Sequence, residues 1–555
     1  MAKKDEEFRY GESSIPTGEK KYSIIRWDWN GLNRTDDIDT GQLSDTAGIV
    51  CDPPYIVPCK LAKKITSLST GIPIHASGYM PTPVETATRH TGVPISLFYD
   101  YLNTYGALSL IWLDQDTDKI TVSRYYYNNK DYTGTPHGWY DIVDFELGAG
   151  GASDLNKPRT SVVFNAVDTT SGNIMEYTYD RKQLIYPDCY SLPVVMSGSA
   201  AKFNTSENPI PTPTMATIYN SRVFGVTIND LLTASAFNSY VDYSLDTASD
   251  VSSSHAWASM AGSSTDADGR ITAITTYDNH VVIFRKDFMQ LVYNNKNPFR
   301  IVDVGKYGCD SNKSWTILNG VLFFASNEKI YAYTGGTPKE ISAKVEVGDL
   351  SGAVLGSFKD TVWVQTKDTM YLYKPKTGAW SDVQIAPFDN VYGKVVQFAT
   401  MDYGLAALVD RDSTGSSPVY DLYMMDWDTD LMDLDDNAAP DWIPEYAGEW
   451  WFETDLMALG RLDVRRVKKF SMLCQGSEDA EVAVWLLKDG EPFDEDTSVK
   501  IGEMTFDDDG YHLMRILTRQ FSSTMHKLRF AGKGFVKIYA AELKISWGGD
   551  VYVEK

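Results

Sequence analysis

Residues 315–342, "WTILNGVLFFASNEKIYAYTGGTPKEIS", decide the fold. An apolar strand meets an Asn-Gly turn. A second apolar strand meets a polar turn, and a third, aromatic strand runs into Gly-Gly-Thr-Pro. Strands of four to seven residues bounded by such turn formers read as antiparallel hairpins. The same skeleton recurs as "SFKDTVWVQTKDTMYLYKPKTG" at 357–378 and as "TYDNHVVIFRKDFMQLVYNNKN" at 276–297. Equivalent units lie about 40 residues apart, the period of propeller blades. Radial closure also removes most open sheet edges, which a chain this rich in strands requires.

Working outward, short strands of the same texture begin near residue 94 and continue to about 430. The expectation is an all-β chain with a β-propeller of six or seven blades over 76–440. A pair of β-sandwiches without repeat symmetry is the competing architecture. Before the repeats, residues 1–75 alternate brief apolar stretches with turns and prolines, and read as an extended N-terminal arm. Beyond the acidic, proline-bearing "DLDDNAAPDWIPEYAGEW", residues 441–555 carry period-2 strands such as "AEVAVWLLKDG" and "GFVKIYAAELKISWGG", which predict a C-terminal β-sandwich.

The chain has 555 residues and a formal charge of −24, from 75 acidic and 51 basic side chains. That balance argues against a whole-protein grip on nucleic acid but suits a wall past which DNA slides. No apolar run reaches the roughly 18 residues of a membrane span, and "MAKKDEEFRYGESS" has no apolar core after its lysines, so it does not read as an export signal. Five scattered cysteines, 51, 59, 189, 309 and 474, form no CxxC pair and read as buried thiols.

Little local chemistry is written into the chain. The seven histidines form neither HxH nor HExxH. "TGGTPKE" lacks the GK[ST] end of a phosphate loop, and "GAGGASD" at 148–154 lacks the GxGxxG register. Two acidic turns are weak calcium candidates: Asp114, Asp116 and Asp118, and Asp426, Asp428 and Asp430. Neither has glycine at the sixth position of a calcium loop or glutamate at the twelfth; their other reading is a hairpin turn capped by carboxylates. A propeller-borne glycosidase would need two carboxylates facing each other, which sequence neither nominates nor excludes. The nearest approach to a sialidase blade motif, "SSTDADGRITA" at 263–273, has Asp268 where glycine is wanted and Ile271 where tryptophan is wanted. No cofactor is expected, and the chain is read as not an enzyme.

The remaining candidates are structural. Gly320 is expected at positive φ in its Asn-Gly turn. Gly335, Gly336 and Pro338 are expected to carry the chain out of one blade toward the next. In "WDWN", Trp27 and Trp29 point to one side at strand period, either to anchor the arm on a neighbouring subunit or to bury in their own domain. Deletion of residues 1–50 is accordingly expected to weaken assembly and spare the body. Arg465, Arg466, Lys468 and Lys469 form a basic spot, either a solvated strand edge or a contact to an acidic neighbour.

A family resemblance enters at "TIYNSRVFGVTINDLLTASAFNSYVDYS", 217–244. It resembles propeller-containing virion structural proteins of tailed phages in Asn220, Arg222, Val223, Phe224 and Gly225, then Leu232, Ser235, Tyr240, Asp242 and Tyr243. Residues 269–342 are similar to the same group through "VVIFRKDFMQLVY", the Gly308-Cys309 pair and the "IYAYTGG-P--IS" ending. "WNGLNRTDDIDTGQLSDTAGI", 29–49, resembles the opening of these proteins, though "CDPPYIVPCK" departs from their glycine-proline turn. The C-terminal "WWFETDLMALGRLDVRRVKKFSMLCQG" and "AGKGFVKIYAAELKISWGG" are similar to the sandwich that follows. The likeness covers about residues 22–50 and 215–548 and implies a tail component of a short-tailed phage, akin to the nozzle that extends the DNA channel. It further implies a homo-oligomer, a hexamer by family expectation, and contacts with an adaptor or portal-proximal ring and with tail fibres. DNA would pass without specific binding, and the protein would be made in the host cytoplasm and reside in the virion. A carbohydrate-active or glycan-binding propeller and a general propeller scaffold for protein interaction are the alternatives.

Overall fold

The computed structural model describes residues 22–547, apart from 36–41, 68–71, 75–87, 101–106, 115–118, 127–137, 147–158, 168–178, 188–191, 204–209, 261–268, 384–392, 412–418, 429–445, 457–464 and some gaps of one or two residues. The described residues hold β-strands and no helix.

Seven four-stranded antiparallel sheets follow one another along the chain. The first six take their strands in sequence order: Gly92–Asp100 to Gly138–Glu146, Thr160–Val167 to Ala200–Phe203, Pro213–Tyr219 to Trp257–Met260, Ile271–Tyr277 to Arg300–Gly305, Trp315–Leu318 to Lys339–Glu340, and Val354–Phe358 to Ala379–Asp382. The seventh joins Lys394–Thr400, Gly404–Asp410 and Tyr420–Trp427, and its outer place is filled by Lys63–Ser67 from the start of the chain.

Sheet stacks on sheet, which explains the unbroken apolar runs. Val321–Ser326 and Thr361–Gln365 are buried along almost their whole length because both of their faces are covered. Seven hydrophobic cores each join two neighbouring sheets. Phe284 of the fourth sheet lies 4.9 Å from Phe324 of the fifth. Leu97, Leu110 and Trp112 of the first sheet pack with Leu408, Met424 and Trp427 of the seventh, so the last core leads back to the first sheet. The first strands of the sheets are also tied by hydroxyl and amide groups. Thr217 and Thr276 share a hydrogen bond of 3.0 Å, Thr316 and Ser357 one of 2.9 Å, and Thr400 donates to the Ser357 carbonyl at 2.6 Å. Gln397 Nε2 donates to the Leu97 carbonyl at 3.0 Å, again between last and first.

Of the other described strands, Ile72–Ile74 pairs with Thr88–His90, and the rest build two further sheets over one core. Leu43–Ala47, Trp450–Thr454, His526–Lys533, Glu481–Lys488 and Val499–Thr505 form one. Ile49–Asp52, Tyr55–Pro58, Val536–Trp547, Arg465–Gly476 and Tyr511–Ser523 form the other, with Tyr22–Trp27 also paired to Val536–Trp547. Phe452, Val484, Leu528 and Phe530 of the first sheet meet Phe470, Ile538 and Leu543 of the second.

Two expectations change here. The segment read as an arm supplies strands to its own chain: four to the two-sheet unit and one to the seventh sheet. Deleting residues 1–50 would remove Tyr22–Trp27 and Leu43–Ala47 from the two-sheet unit but leave Lys63–Ser67 in the seventh sheet. Neither unit is therefore contiguous in sequence. The turn at Gly335, Gly336 and Pro338 also stays inside one sheet, between Lys329–Tyr333 and the two-residue strand Lys339–Glu340, rather than leading to the next.

Candidate functional site

The candidate site is a structural junction. It is built on "NGLNR", 30–34. Gly31 has φ +97°, and a side chain there would meet the Trp380 nitrogen at 2.8 Å and Ala379 Cα at 2.9 Å. Only glycine lets this segment lie so close to the outer strand of the sixth sheet. Leu32 N then donates to the Trp380 carbonyl at 2.9 Å, Arg34 N to the Lys344 carbonyl at 3.0 Å, and Asn33 N to the Leu43 carbonyl at 2.8 Å. The contact continues where Cys51 N donates to Ser381 Oγ at 2.7 Å and Thr46 Oγ1 to the Asp382 carbonyl at 3.2 Å.

Arg34 is the centre of this junction. Its guanidinium donates to Asp45 Oδ1 and Asp382 Oδ2, both at 2.9 Å, and to the Tyr371 hydroxyl at 3.0 Å. Burial opposes its charge, but hydrogen bonds to Asp45 and Asp382 more than compensate, and its pKa is raised. One cation thus bridges a carboxylate of the N-terminal segment and one of the sixth sheet, a planar fork that lysine cannot reproduce. A second bridge closes the seventh sheet. Lys64 Nζ and Arg411 Nη1 lie 2.7 and 3.2 Å from Asp421 Oδ2, and the Asp421 side chain is fully buried.

Trp27 and Trp29 lie in the two-sheet core of their own chain, 1% and 0% exposed. The indoles stack 6.4 Å apart, and Trp29 meets Phe452 and Phe530 edge-on at 5.4 and 5.8 Å. That burial leaves no ring surface for a neighbouring subunit. Gly320, Gly335 and Gly336 have φ of +75°, +96° and +82°, with open space where a Cβ would stand, so conformation and not crowding requires glycine there. Pro338 is buried beside them.

Of the calcium candidates, Asp114, Asp426 and Asp428 lie among the described residues. Asp426 pairs with Lys60 at 3.1 Å and Asp428 with Lys359 at 2.8 Å. Asp114 is buried, while Asp116, Asp118 and Asp430 lie outside the described residues. Among the described residues no group of three His, Cys, Asp or Glu side chains is placed to hold a metal ion. Burial pushes the thiols of Cys51, Cys59 and Cys474 up to about 12, which keeps them protonated and inert near neutral pH. Cys309 is raised by the same cause, and Cys189 lies outside the described residues. No described helix is long and apolar enough to cross a membrane.

The basic spot sits at the start of Arg465–Gly476, which is paired on both sides and is not a sheet edge. Lys468 is exposed at a register shift between Val467 and Lys469, and Lys469 is half-buried. The side chains of Arg465 and Arg466 lie outside the described residues.

The motif at 220–225 has a structural explanation. Asn220 and Ser221 make the turn at φ +47° and +52°. Arg222 is fully buried and donates to the carbonyls of Ser235, His255 and Ser253 at 2.6, 2.8 and 2.8 Å, fastening residues 235–255 to the third sheet. Ser235 Oγ accepts from Val223 N at 2.8 Å. A Cβ on Gly308 would stand 1.6 Å from the Lys286 carbonyl oxygen, so the Gly-Cys pair is fixed by backbone contact. Sequence did not nominate Arg34, Lys64, Arg411 and Asp421: Asp382 lies 348 positions from Arg34 and Asp421 lies 357 from Lys64, although Asp45 and Arg411 are only 11 and 10 positions from their partners.

No protein-family model matches the chain, and no curated protein matches it. Among solved structures it is similar to BamB from Moraxella catarrhalis at 12% identity and a TM-score of 0.36, over 73% of this chain and 99% of that one. It is also similar to the extracellular domain of a hybrid two component system from B. thetaiotaomicron, at 9% identity and 0.38, over 69% and 44%. A third is a glycoside hydrolase family 43 arabinoxylan arabinofuranohydrolase from Bacillus subtilis, at 10% and 0.20, over 87% and 100%. At such TM-scores none of these likenesses carries a functional argument.

Proposed function

We propose that the protein is a non-catalytic scaffold for protein assembly, a seven-bladed β-propeller locked to a β-sandwich. The observation that carries this reading is the double use of the N-terminal segment. Residues 22–58 complete the two-sheet unit, and residues 63–67 complete the seventh sheet. A chain fastened at both places cannot open one unit without straining the other, which suits a load-bearing wall. The cyclic order of the sheet-to-sheet cores supports the propeller, and the shared core of the last two sheets supports the sandwich. The buried thiols and ion-paired carboxylates at the nominated positions favour a structural role over catalysis.

Within that reading, the resemblance at 29–49 and 215–548 favours one setting, the tail nozzle of a short-tailed phage, in several symmetric copies around the DNA path. Its motif residues Arg222, Gly225, Ser235 and Gly308 have packing and hydrogen-bonding roles here, which fits a likeness of architecture. Negative-stain microscopy of the purified chain should show discrete ring-like multimers, and the chain should be present in purified virions of its source phage. A chain absent from virions overturns the nozzle setting alone. Turnover of a glycan substrate would overturn the scaffold reading itself.

A further inference from the structure

Four of the nine large hydrophobic side chains that stand exposed among the described residues lie on one sheet: Ile24, Leu473, Tyr511 and Leu513. Their strands, Tyr22–Trp27, Arg465–Gly476 and Tyr511–Ser523, belong to the six-stranded sheet whose other face fills the core with Phe470, Met472, Met514 and Leu543. Strand alternation therefore puts these four on the outward face. Leu473 and Leu513 are direct cross-strand partners, so the apolar surface is continuous between them. Tyr511 and Tyr55 extend it, packing on Tyr539 with ring centroids 5.4 and 6.0 Å away.

The same face is basic in an acidic chain. Arg26, Lys468, Lys469, Arg515, Lys537 and Lys544 stand on its strands there, against Glu542 and Asp52, with Asp507, Asp508 and Asp509 in the turn that leads into Tyr511. On the strands, six cations against two carboxylates is +4, while the whole chain carries −24. Apolar and tyrosine surface on strands with a net charge opposite to that of the chain is the composition of a docking site.

We infer that this face takes the acidic surface of a second copy of the chain in a head-to-tail contact. The inference rests on the assembly reading above. Charge decides the geometry: two such faces meeting across a two-fold axis would oppose +4 with +4, whereas the rest of a neighbouring copy is strongly acidic. The exposed 491–496 loop of the same unit, with Glu491, Asp494, Glu495 and Asp496 and no cation, shows the kind of surface a neighbour offers. A contact between different surfaces repeats from copy to copy and closes into a ring when its rotation allows.

The test is mass photometry and sedimentation of the full chain at low and high salt, with three variants. Lys468→Glu/Lys469→Glu/Arg515→Glu reverses the charge, Leu473→Ser/Leu513→Ser removes the apolar centre, and Lys296→Glu/Arg300→Glu/Lys339→Glu reverses charge on the fourth and fifth sheets as a control. Circular dichroism and melting temperature report folding of each. The wild type should assemble, less strongly in high salt, and both face variants should weaken assembly about a hundredfold or more while the control stays near wild type. Should the charge variant fail to fold, the leucine pair alone decides. Face variants that assemble like the wild type overturn this face but leave the assembly reading standing. A wild-type chain that is monomeric at about 100 µM, a concentration that would populate even weak contacts, overturns a second copy as the occupant. The scaffold reading would then rest on a different, acidic partner.

Discussion

The bridge that closes the seventh sheet should respond asymmetrically to mutation. Asp421 is fully buried, whereas the side chains of Lys64 and Arg411 are 40% and 35% exposed. Removing both cations, in Lys64→Met/Arg411→Met, leaves a carboxylate out of reach of water. A buried charge stripped of its partners costs about 3–5 kcal/mol. Removing the carboxylate, in Asp421→Asn, leaves two long side chains that can turn to solvent and an amide oxygen that still accepts, for about 1 kcal/mol. The strand under test is Lys63–Ser67, held to Tyr420–Trp427 by this pair and by backbone bonds. Amide hydrogen exchange followed by mass spectrometry reads its local opening directly. At about 1.4 kcal/mol per factor of ten, the double variant should speed exchange of that strand by roughly 10²–10³-fold or more, and Asp421→Asn by less than about tenfold. Equal effects, or a larger effect for Asp421→Asn, would refute the argument that burial of the anion sets the cost.

Other perturbations test other parts. Trp29→Ala empties a site packed against Phe452 and Phe530 and should cost the two-sheet unit about 3–5 kcal/mol in calorimetric unfolding; a loss below about 1 kcal/mol would contradict its placement in the core. Gly308→Ala pushes a methyl into the Lys286 carbonyl and should abolish soluble folding, whereas Gly320→Ala, with open space around it, should cost only about 1–2 kcal/mol from its positive φ. Asp455 is half-buried, and burial raises its pKa from 3.8 to about 6. The folded state therefore holds that proton more tightly than the unfolded chain, so its contribution is complete below about pH 4 and is lost as pH rises through about 6. Asp455→Asn should then raise stability at pH 8 by about 1 kcal/mol after solvent screening and change little at pH 4. A gain of equal size at both pH values would show that the carboxylate's ionisation is not the cause.

What could be read from the sequence was whatever is local. The central strands Val321–Ser326, His280–Arg285 and Thr361–Gln365 are buried on both sides and bounded by turns, so they stand out as apolar runs at a fixed period. The outer strands do not. Arg300–Gly305 is largely half-exposed and Lys339–Glu340 has only two residues, too short to pattern, which is why each unit reads as three strands where the sheet has four. Strand partners far along the chain left no trace at all. Leu43–Ala47 pairs with Trp450–Thr454, and nothing in five residues names a partner some 400 positions away. Distance also hid the junction at Arg34: Asp45 is 11 positions away, but Asp382, from the other side, is 348 away.

That hidden pairing bears on how the molecule would work as a wall. On the proposed propeller reading, a last sheet that took its fourth strand from the chain just after its third could spread under load at the seam between first and last. Here the seam strand comes from residues 63–67, and the chain immediately before it is bound into the other unit through Ile56, Cys51 and Leu43. Pulling the seam open therefore drags on the two-sheet core, where Trp27, Trp29, Phe452 and Phe530 interlock. Between the two units the load passes through Arg34 and the Gly31–Trp380 contact, which have no slack, since a single methyl would not fit at Gly31. On the scaffold reading proposed above, such coupling would suit a subunit held by its neighbours at one unit and loaded at the other, with the outward basic face on the unit tied to the seam.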